Sequence, residues 1–218
     1  MARLFDDASS QGLQVASAPL TAYPFTMACW FNSNDATITQ VLMSICDSAS
    51  TNEEWSLRAA GAVAGDPIRF TSRAGGTNRN ADTTTGYSTG AWTHACAVGT
   101  SATSRAVYIN GGSVGTNATS NTPSSLDTFS IGVDAVSVPF GYMSGAIAEA
   151  AIWNVALAAG DVALLAKALD PRMVRPQGLV GYWQLIGRYS PEIDRRRGLG
   201  LTVTGATATP HPRMFHAG

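Results

Sequence analysis

Carboxylate pairs are the chemistry that this sequence could most readily offer, because two carboxyl groups on one sheet face can share acid–base work. Glu53 and Glu54 are adjacent, and neighbouring residues of a strand point to opposite faces of the sheet. Glu149, in GAIAEAAIW, has no acidic residue two or five positions away. It is either an acid that faces a ligand or a carboxylate hydrogen-bonded within a sheet, and the missing partner favours the second.

The histidines and cysteines show no catalytic or metal-binding spacing. His94 has no serine or cysteine motif with a positioned acid, so we expect a strand histidine whose hydrogen bonds are satisfied. His211 and His216 stand five residues apart in a proline-rich tail, a spacing on irregular backbone that fixes no metal geometry. Three cysteines without a CxxC pattern are expected to be reduced and mostly buried: Cys29, Cys46 and Cys96.

Charge is unevenly distributed along the chain, although the net charge is only −1. Residues 1–150 hold six arginines against eleven acidic residues, whereas residues 151–218 hold eight basic residues against four acidic ones. The densest basic point, DRRRG, contains Arg195, Arg196 and Arg197. They belong either to a solvated loop or to a contact with an acidic protein surface or nucleic acid. Nucleic acid is disfavoured, because no interleaved aromatic residues accompany them. The three arginines are therefore candidate partner-binding residues.

The elements that must position these side chains are mostly strands. Only 13% of the residues are charged, about half the usual ~25%. Residues 25–31, FTMACWF, carry apolar groups on both faces, which predicts a strand in the middle of a sheet. Residues 91–99 and 104–110 predict a hairpin, and the NGG at 110–112 predicts a tight turn after it. Turns about every 8–12 residues favour a sandwich over an α/β fold.

Residues 145–169 predict a strand followed by a helix. Gly145 is a poor residue for a helix interior, and the isoleucines and tryptophan that follow it favour a strand that ends near Asn154. The apolar residues of 157–169 are spaced for one helical face. Asp170 and Pro171 are expected to end this helix, because the residue before a proline avoids the α region.

The remaining segments predict loops and an extended tail. Residues 74–90 are polar and glycine-rich, which predicts a loop with a weak strand near residues 83–85. Pro210 and Pro212 exclude a central strand, so we expect an arm that lies on this protein or on a neighbour. The first ten residues lack the apolar run of a secretory signal. No stretch approaches the ~20 apolar residues of a membrane span.

Four segments together resemble the laminin G-like, concanavalin A-like jelly-roll family over residues 1–185: FTMACWF, WTHACAVG, AVYINGG and GAIAEAAIWNVAL. In the last segment, Ala148 replaces the family's common aspartate, and the matching residues are Gly145, Ile147, Glu149, Ile152, Trp153, Asn154 and Leu157. The resemblance implies an all-β fold, a two-sheet antiparallel jelly-roll sandwich with one short helix near residues 157–169. It leaves residues 186–218 as a C-terminal extension that completes the sandwich or contacts a neighbouring subunit.

The two ends of the chain resemble more particularly the laminin G-like proteins of tailed bacteriophages: MARLFDDASS, VASAPLTAYPFTMACWF, and the tail from RPQGLVGYW to HPRMF. This resemblance implies a non-enzymatic structural protein of the virion, a head decoration or other surface component assembled in the host cytoplasm. Its partners would be other virion proteins, in a homo-oligomer or a capsid or tail lattice. The alternative is a carbohydrate-binding, lectin-like module for host-surface attachment.

The family resemblance also implies which site residues to expect. Glucanases with this jelly roll use Glu-x-Asp-x-x-Glu, but the chain offers only Glu192 and Asp194, with Arg197 in place of the second glutamate. We therefore expect no enzymatic activity and no cofactor. Many laminin G-like domains bind calcium, for which the reasonable donors are Asp47, Asp66 and Asp134. The candidate aromatic residues of a sugar site are Trp55, Tyr87 and Tyr142, and the alternative for each is a side chain simply packed in the fold.

Overall fold

A computed structural model describes residues 1–215, in which sixteen strands form two antiparallel sheets. The first sheet has the order β10 (Gly112–Asn117), β9 (Ser104–Ile109), β8 (Thr93–Ser101), β3 (Phe25–Ser33), β12 (Gly145–Trp153), β1 (Ala2–Phe5) and β16 (Thr207–Thr209), with β13 (Leu179–Trp183) also paired to β12. The second sheet has the order β14 (Glu192–Ile193), β15 (Gly200–Thr204), β2 (Gly12–Val15), β11 (Thr128–Ile131), β4 (Thr39–Cys46), β5 (Glu54–Ala60), β6 (Pro67–Ala74) and β7 (Thr77–Gly86).

The main core lies between the two sheets, because alternate residues of each strand point inward. In β3 the inward set is Phe25, Met27, Cys29 and Phe31. Phe25 packs on Trp55 of the second sheet with ring centroids 4.5 Å apart. The prediction of a central strand at residues 25–31 is confirmed, since β3 pairs with β8 on one side and β12 on the other.

A smaller apolar cluster covers the outer face of the first sheet. The helix α1 (Ala159–Ala166) contributes Val162 and Leu165, which pack with Trp153 and Tyr182 of the sheet. A 3-10 helix (Pro171–Met173) follows. This cluster explains why β3 and β12 have apolar residues on both faces.

The predicted change from strand to helix within residues 145–169 is confirmed, although the helix is shorter than predicted. Residues before it stay extended because the Leu157 N–H donates to Thr26 Oγ1 at 3.0 Å, which ties them to β3. The helix ends at Ala166, before the predicted stop, and Ala168 has a φ of 64°. That left-handed conformation cannot continue a right-handed helix.

The predicted loop over residues 74–90 is wrong for most of its length, whereas the weak strand predicted near residues 83–85 is confirmed as part of β7. Gly75 and Gly76 have φ values of 54° and 77° and make the tight turn of a hairpin between β6 and β7. The strand β7 lies at the edge of its sheet, where a polar sequence rich in threonine is tolerated because one side meets solvent. The predicted hairpin of β8 and β9 is confirmed, as is the tight turn at Asn110 and Gly111, where φ is again positive.

The last strands of the chain lie in both sheets. β14 and β15 extend the second sheet, and β16 pairs with β1 at the edge of the first. Beyond β16 the segment up to Phe215 lies on this same chain, where the Phe215 N–H donates to the Ala168 carbonyl at 2.8 Å. No helix among the described residues is long and apolar enough to cross a membrane.

Candidate functional site

The outer face of the second sheet is polar, in contrast to the apolar outer face of the first. In β5, Trp55 points into the core, so Glu54 and Arg58 point outward. Residues 132–144, which connect β11 to β12, fold onto this face. We call these residues the covering loop; Ala135, Val136 and Phe140 of the loop pack with Cys46 of β4.

A buried cluster of charges anchors the covering loop to the sheet. The Arg58 guanidinium donates to the carboxylates of Glu54 and Asp134, and Asp134 accepts a 2.8 Å hydrogen bond from Ser44 Oγ. The guanidinium carbon also lies 5.1 Å from the centre of the Phe140 ring. Burial raises the pKa of Glu54 despite the positive charge of Arg58 beside it. Because both carboxylates bind one guanidinium, they hold the loop in place and are not free to act on a ligand.

An open groove of about 220 Å³ lies between the covering loop and the strands β2 and β15. It is lined by Ser10, Gly12, Gln14, Val133, Pro139, Tyr142 and Thr204. Gln14 and Thr204 are exposed, and Tyr142 is half-buried. Gly12 lets the loop lie close to β2, since a Cβ on this residue would come within 2.6 Å of Val133 Cγ1. The groove therefore depends on a glycine contact as well as on its polar side chains.

The groove suits an uncharged ligand that is rich in hydroxyl groups. The Tyr142 ring offers an apolar face with a polar tip, and the Gln14 amide can both donate and accept hydrogen bonds. The hydroxyl groups of Ser10 and Thr204 can do the same. No charged side chain is among the residues that line the groove in the described part of the chain.

Of the three aromatic residues predicted for a sugar site, only Tyr142 faces a groove. Trp55 is fully buried and donates through Nε1 to the Tyr23 hydroxyl at 3.1 Å. Tyr87 is also buried, and its hydroxyl donates to the Asp35 carbonyl at 3.0 Å. Burial raises the pKa of Tyr87 to about 12. For these two residues the packed alternative is confirmed, because both belong to the core between the sheets.

Sequence reasoning missed Gln14 and Thr204. They meet because β2 pairs with β15, so that Thr204 lies opposite Gly12 and Thr202 lies opposite Gln14. A pairing between strands that are nearly the whole chain apart leaves no local pattern in the sequence. The alternation in LGLTVTG does predict that the threonines share one face of β15, which is the only available signal.

Glu149 is hydrogen-bonded within the sheet, as predicted, but its backbone is unusual. It lies in a bulge of β12 with a φ of 55° and is only 3% exposed. The Tyr182 hydroxyl of the neighbouring strand donates to Glu149 Oε2, and burial together with the negative charge of Glu149 raises the pKa of Tyr182. His211 Nε2 lies 2.9 Å from the other carboxylate oxygen of Glu149, Oε1. The carboxylate thus fastens the segment after β16 onto the first sheet.

His94 is a buried strand histidine, as predicted, but its hydrogen bonds are not all satisfied. Its ring packs edge-on against Trp30 with centroids 5.5 Å apart. Burial lowers the pKa of His94 to about 3, and Nδ1 has no hydrogen-bond partner among the described residues. The neighbouring Cys96 is also buried, and burial raises the pKa of its thiol. Neither side chain has the exposure or protonation state of a catalytic group.

The candidate partner-binding residues Arg195, Arg196 and Arg197 lie exposed on a turn after β14. The Arg196 guanidinium donates to the carbonyls of Leu179 and Pro176 at 3.2 and 3.3 Å. A role of the three arginines in partner binding stays a prediction.

The candidate calcium donors Asp47, Asp66 and Asp134 are not brought together. In the part of the chain that the structure describes, no three His, Cys, Asp or Glu side chains are grouped so that they could hold a metal ion. Asp134 is buried against Arg58, and the Asp47 carboxylate accepts the Ala49 N–H at 2.8 Å. His216 lies outside the described residues. All three cysteines are free thiols and buried, as expected.

Comparison with known proteins assigns the chain to a family. The model of a family described as the concanavalin A-like lectin/glucanases superfamily matches residues 7–163. No curated protein matches the sequence significantly. Domain 4 of AbnA, a GH43 extracellular arabinanase from Geobacillus stearothermophilus in complex with arabinotriose, is 20% identical with a TM-score of 0.59, over 71% of this chain and 72% of that chain.

Two further solved structures share the fold with similar TM-scores. The CBM40 of the Ruminococcus gnavus IT-sialidase, bound to α2,3-sialyllactose, is 11% identical with a TM-score of 0.58, over 67% of this chain and 84% of that chain. The heptameric SAP-like pentraxin from Limulus polyphemus is 19% identical with a TM-score of 0.58, over 72% of this chain and 75% of that chain. The predicted all-β jelly-roll sandwich is confirmed. At identities of 11–20%, these likenesses concern the fold.

Proposed function

The chain belongs to the concanavalin A-like lectin/glucanases superfamily, and on that premise we propose that it is a non-enzymatic carbohydrate-binding module for a neutral oligosaccharide. The proposed site is the groove between the covering loop and β2 and β15. One observation carries the proposal: the Tyr142 ring shares an uncharged groove of about 220 Å³ with the exposed Gln14 and Thr204 side chains.

Each side chain of the groove has a distinct part in binding. The Tyr142 ring packs against the C–H face of a sugar ring, where its apolar area counts most. Gln14 and Thr204 hydrogen-bond the sugar hydroxyls from paired strands, so the sheet fixes their spacing. The covering loop is held by Arg58, Glu54 and Asp134, which keeps Tyr142 in place before a ligand arrives. A site formed in advance loses less entropy on binding.

The positions and partners of the acidic residues support a binding module without catalytic activity. Glycosidases flank the scissile bond with two carboxyl groups about 5–10 Å apart. Glu54 and Asp134 lie together on the outer face of the second sheet, and both are buried on Arg58. Because no carboxylate lines the groove, we also expect binding without calcium.

The test is a glycan array followed by titration calorimetry with a neutral oligosaccharide that the array identifies. We expect neutral glycans to bind, with equal affinity in calcium and in EDTA. Tyr142→Ala should weaken binding by roughly tenfold or more, whereas Tyr142→Phe should keep most of it. Tyr189→Ala is the matched control, since Tyr189 is exposed but lies outside the groove. An array that binds only sialylated glycans, or nothing, would reject the proposal.

The role of a surface component in a tailed-phage virion remains a separate prediction, which rests on the resemblance of the two ends of the chain. A glycan-binding module on a particle surface would serve host attachment, so the two roles are compatible. Mass spectrometry of purified particles tests the virion location, and it does so independently of the groove.

A further inference from the structure

A second surface, at the β14 edge of the second sheet, exposes apolar and cationic groups side by side. Tyr189 is 68% exposed and Ile193 is 46% exposed, and with Arg195 they line a hollow of about 150 Å³. Arg197, two residues further along the same turn, lines a separate hollow of about 320 Å³. We call these four residues the arginine face. None of them lines the groove beside Tyr142.

The turn that carries the arginine face is held rigidly by Asp194, which is buried. Asp194 Oδ1 accepts the N–H groups of Tyr182 and Arg196 at 2.6 and 2.8 Å, and Oδ2 accepts the N–H of Arg197 at 2.6 Å. Arg196 is tied to backbone carbonyls. The side chains of Arg195 and Arg197, by contrast, have no hydrogen-bond or ion-pair partner among residues 1–215.

The acidic residues beside these arginines are already engaged. The Glu192 carboxylate binds the Arg3 guanidinium at 2.9 Å, and Asp194 is taken up by backbone N–H groups. Two guanidinium charges therefore stay without a counter-charge on a surface that also exposes Tyr189 and Ile193. Tyrosine and arginine are enriched in the cores of protein–protein interfaces.

The complementary charge lies at the same end of the same sheet. Asp47 follows β4, Glu53 precedes β5 and Asp127 precedes β11, so these residues, which we call the acidic face, meet at one end of three antiparallel neighbours. β11, β2, β15 and β14 pair antiparallel in that order, so β14 runs antiparallel to β11. β14 therefore ends at the end of the sheet where β11 begins. At a strand spacing of about 4.8 Å, β14 lies roughly 14 Å from β11, the strand that follows Asp127.

The acidic face is itself unneutralised. Glu53 accepts the N–H groups of Gly75 and Ser124 at 2.6 and 2.8 Å, and Asp127 accepts hydrogen bonds of 2.9 Å from the Ser48 N–H and hydroxyl. Within the described residues, no arginine or lysine forms an ion pair with any member of the face. Arg73, a cation of the neighbouring strand β6, lies opposite the buried Glu54.

We propose that this end of the second sheet binds a second copy of the chain in a two-fold contact. In a two-fold interface each patch of one subunit meets its complement on the other, and the exchange is mutual. A surface with a basic and an acidic face side by side satisfies that condition: the arginine face of each copy meets the acidic face of its partner. Tyr189 and Ile193 supply the apolar area that the contact buries.

Sedimentation velocity of the full chain tests this contact. We expect a dimer at about 50 mM NaCl that dissociates at about 500 mM, where the Debye length falls to a few ångströms. Arg195→Glu with Arg197→Glu should give a monomer, as should Asp47→Arg with Asp127→Arg. An equimolar mixture of the two variants should restore a dimer, since the reversed charges are again complementary. Tyr142→Ala should leave the dimer intact, which separates this proposal from glycan binding.

Several outcomes would overturn the contact. A chain that is monomeric at low salt, or a dimer that survives the Arg195→Glu and Arg197→Glu changes, would do so. Preferential binding of poly-glutamate or heparin by a monomeric chain would assign the arginine face to another occupant. If the Asp127→Arg variant unfolds, because Asp127 also holds Ser48, the arginine variant and the salt dependence of the unaltered chain decide the matter.

Discussion

Arg3 and Glu192 form a buried ion pair that joins the first strand of one sheet to the edge strand of the other. Arg3 Nε and Nη2 donate to Glu192 Oε2 at 3.1 and 2.9 Å, and both side chains are almost fully buried. Arg3 Nη1 also donates to the Ala206 carbonyl at 3.1 Å. The last strands are therefore fastened to β1 by a charged group, as well as by backbone pairing.

Removing one partner of this ion pair should lower the free energy of unfolding. Glu192→Gln leaves the Arg3 guanidinium buried without its counter-charge, and we expect a loss of about 3–5 kcal/mol in the free energy of unfolding. The double change Arg3→Met with Glu192→Leu should cost less than the single one, because no buried charge is left unpaired. Urea unfolding of the three proteins measures both values, and equal losses for the single and double variants would contradict the expectation.

His94 should make the protein less stable in mild acid. Its pKa is lowered to about 3 in the fold, so between pH 6.5 and 3 the unfolded chain binds a proton that the folded chain does not. Stability is then lost as the pH falls through this window, by up to about 1.4 kcal/mol per pH unit. Urea unfolding at a series of pH values should show this slope, and His94→Gln should reduce it. An unchanged slope in the variant would show that His94 is protonated in the fold.

Gly12 should control the shape of the groove. In Gly12→Ala the new methyl group would meet Val133 Cγ1 at 2.6 Å, so the covering loop must move, at an expected cost of roughly 1–3 kcal/mol in stability. Glycan affinity should fall with it, because Tyr142 is carried by the same loop. Val133→Ala in the same chain frees the space and should recover much of both. A Gly12→Ala protein with normal affinity would mean that loop position does not set binding.

His211 should hold the segment after β16 locally, with little effect on the whole fold. His211→Ala removes the partner of Glu149 Oε1, so the Phe215 amide, which donates to Ala168, should exchange its hydrogen faster with solvent. Global unfolding should change by no more than about 1 kcal/mol, because His211 lies outside the strands and Glu149 keeps the Tyr182 hydroxyl as a partner. Hydrogen exchange measured by NMR distinguishes the two effects, and His211→Gln, which keeps a polar side chain beside Glu149, is the matched control.

Strand positions within the core were predictable because they depend on local alternation. FTMACWF has apolar residues on both faces, and the structure places a sheet core on one side and the helix-covered cluster on the other. The break after Trp153 was predictable for the same reason. Only the part of β7 near residues 83–85 was predicted, because the full edge strand depends on its neighbour β6 and Thr77–Gly86 alone has the composition of a loop.

The candidate site was predicted only through Tyr142. Trp55 and Tyr87 have the same residue types that line sugar sites, and nothing local distinguishes a buried aromatic residue from an exposed one. Gln14 and Thr204 are brought together by the pairing of β2 with β15, which is a property of the whole topology. The backbone of Glu149, with its positive φ, was also beyond prediction, because a bulge is set by the register of β12 on β3.

The pairing of β1 with β16 has a consequence for engineering. Ala2 lies opposite Thr209 in neighbouring strands, about 5 Å apart, so the first and last strands lie side by side. A short linker from Thr209 to Ala2 would permit circular permutation of a chain without the segment after β16, with new termini in the exposed turn at Gly75 and Gly76. The same geometry would let the sandwich be grafted into a surface loop of a host protein without spreading the ends of that loop.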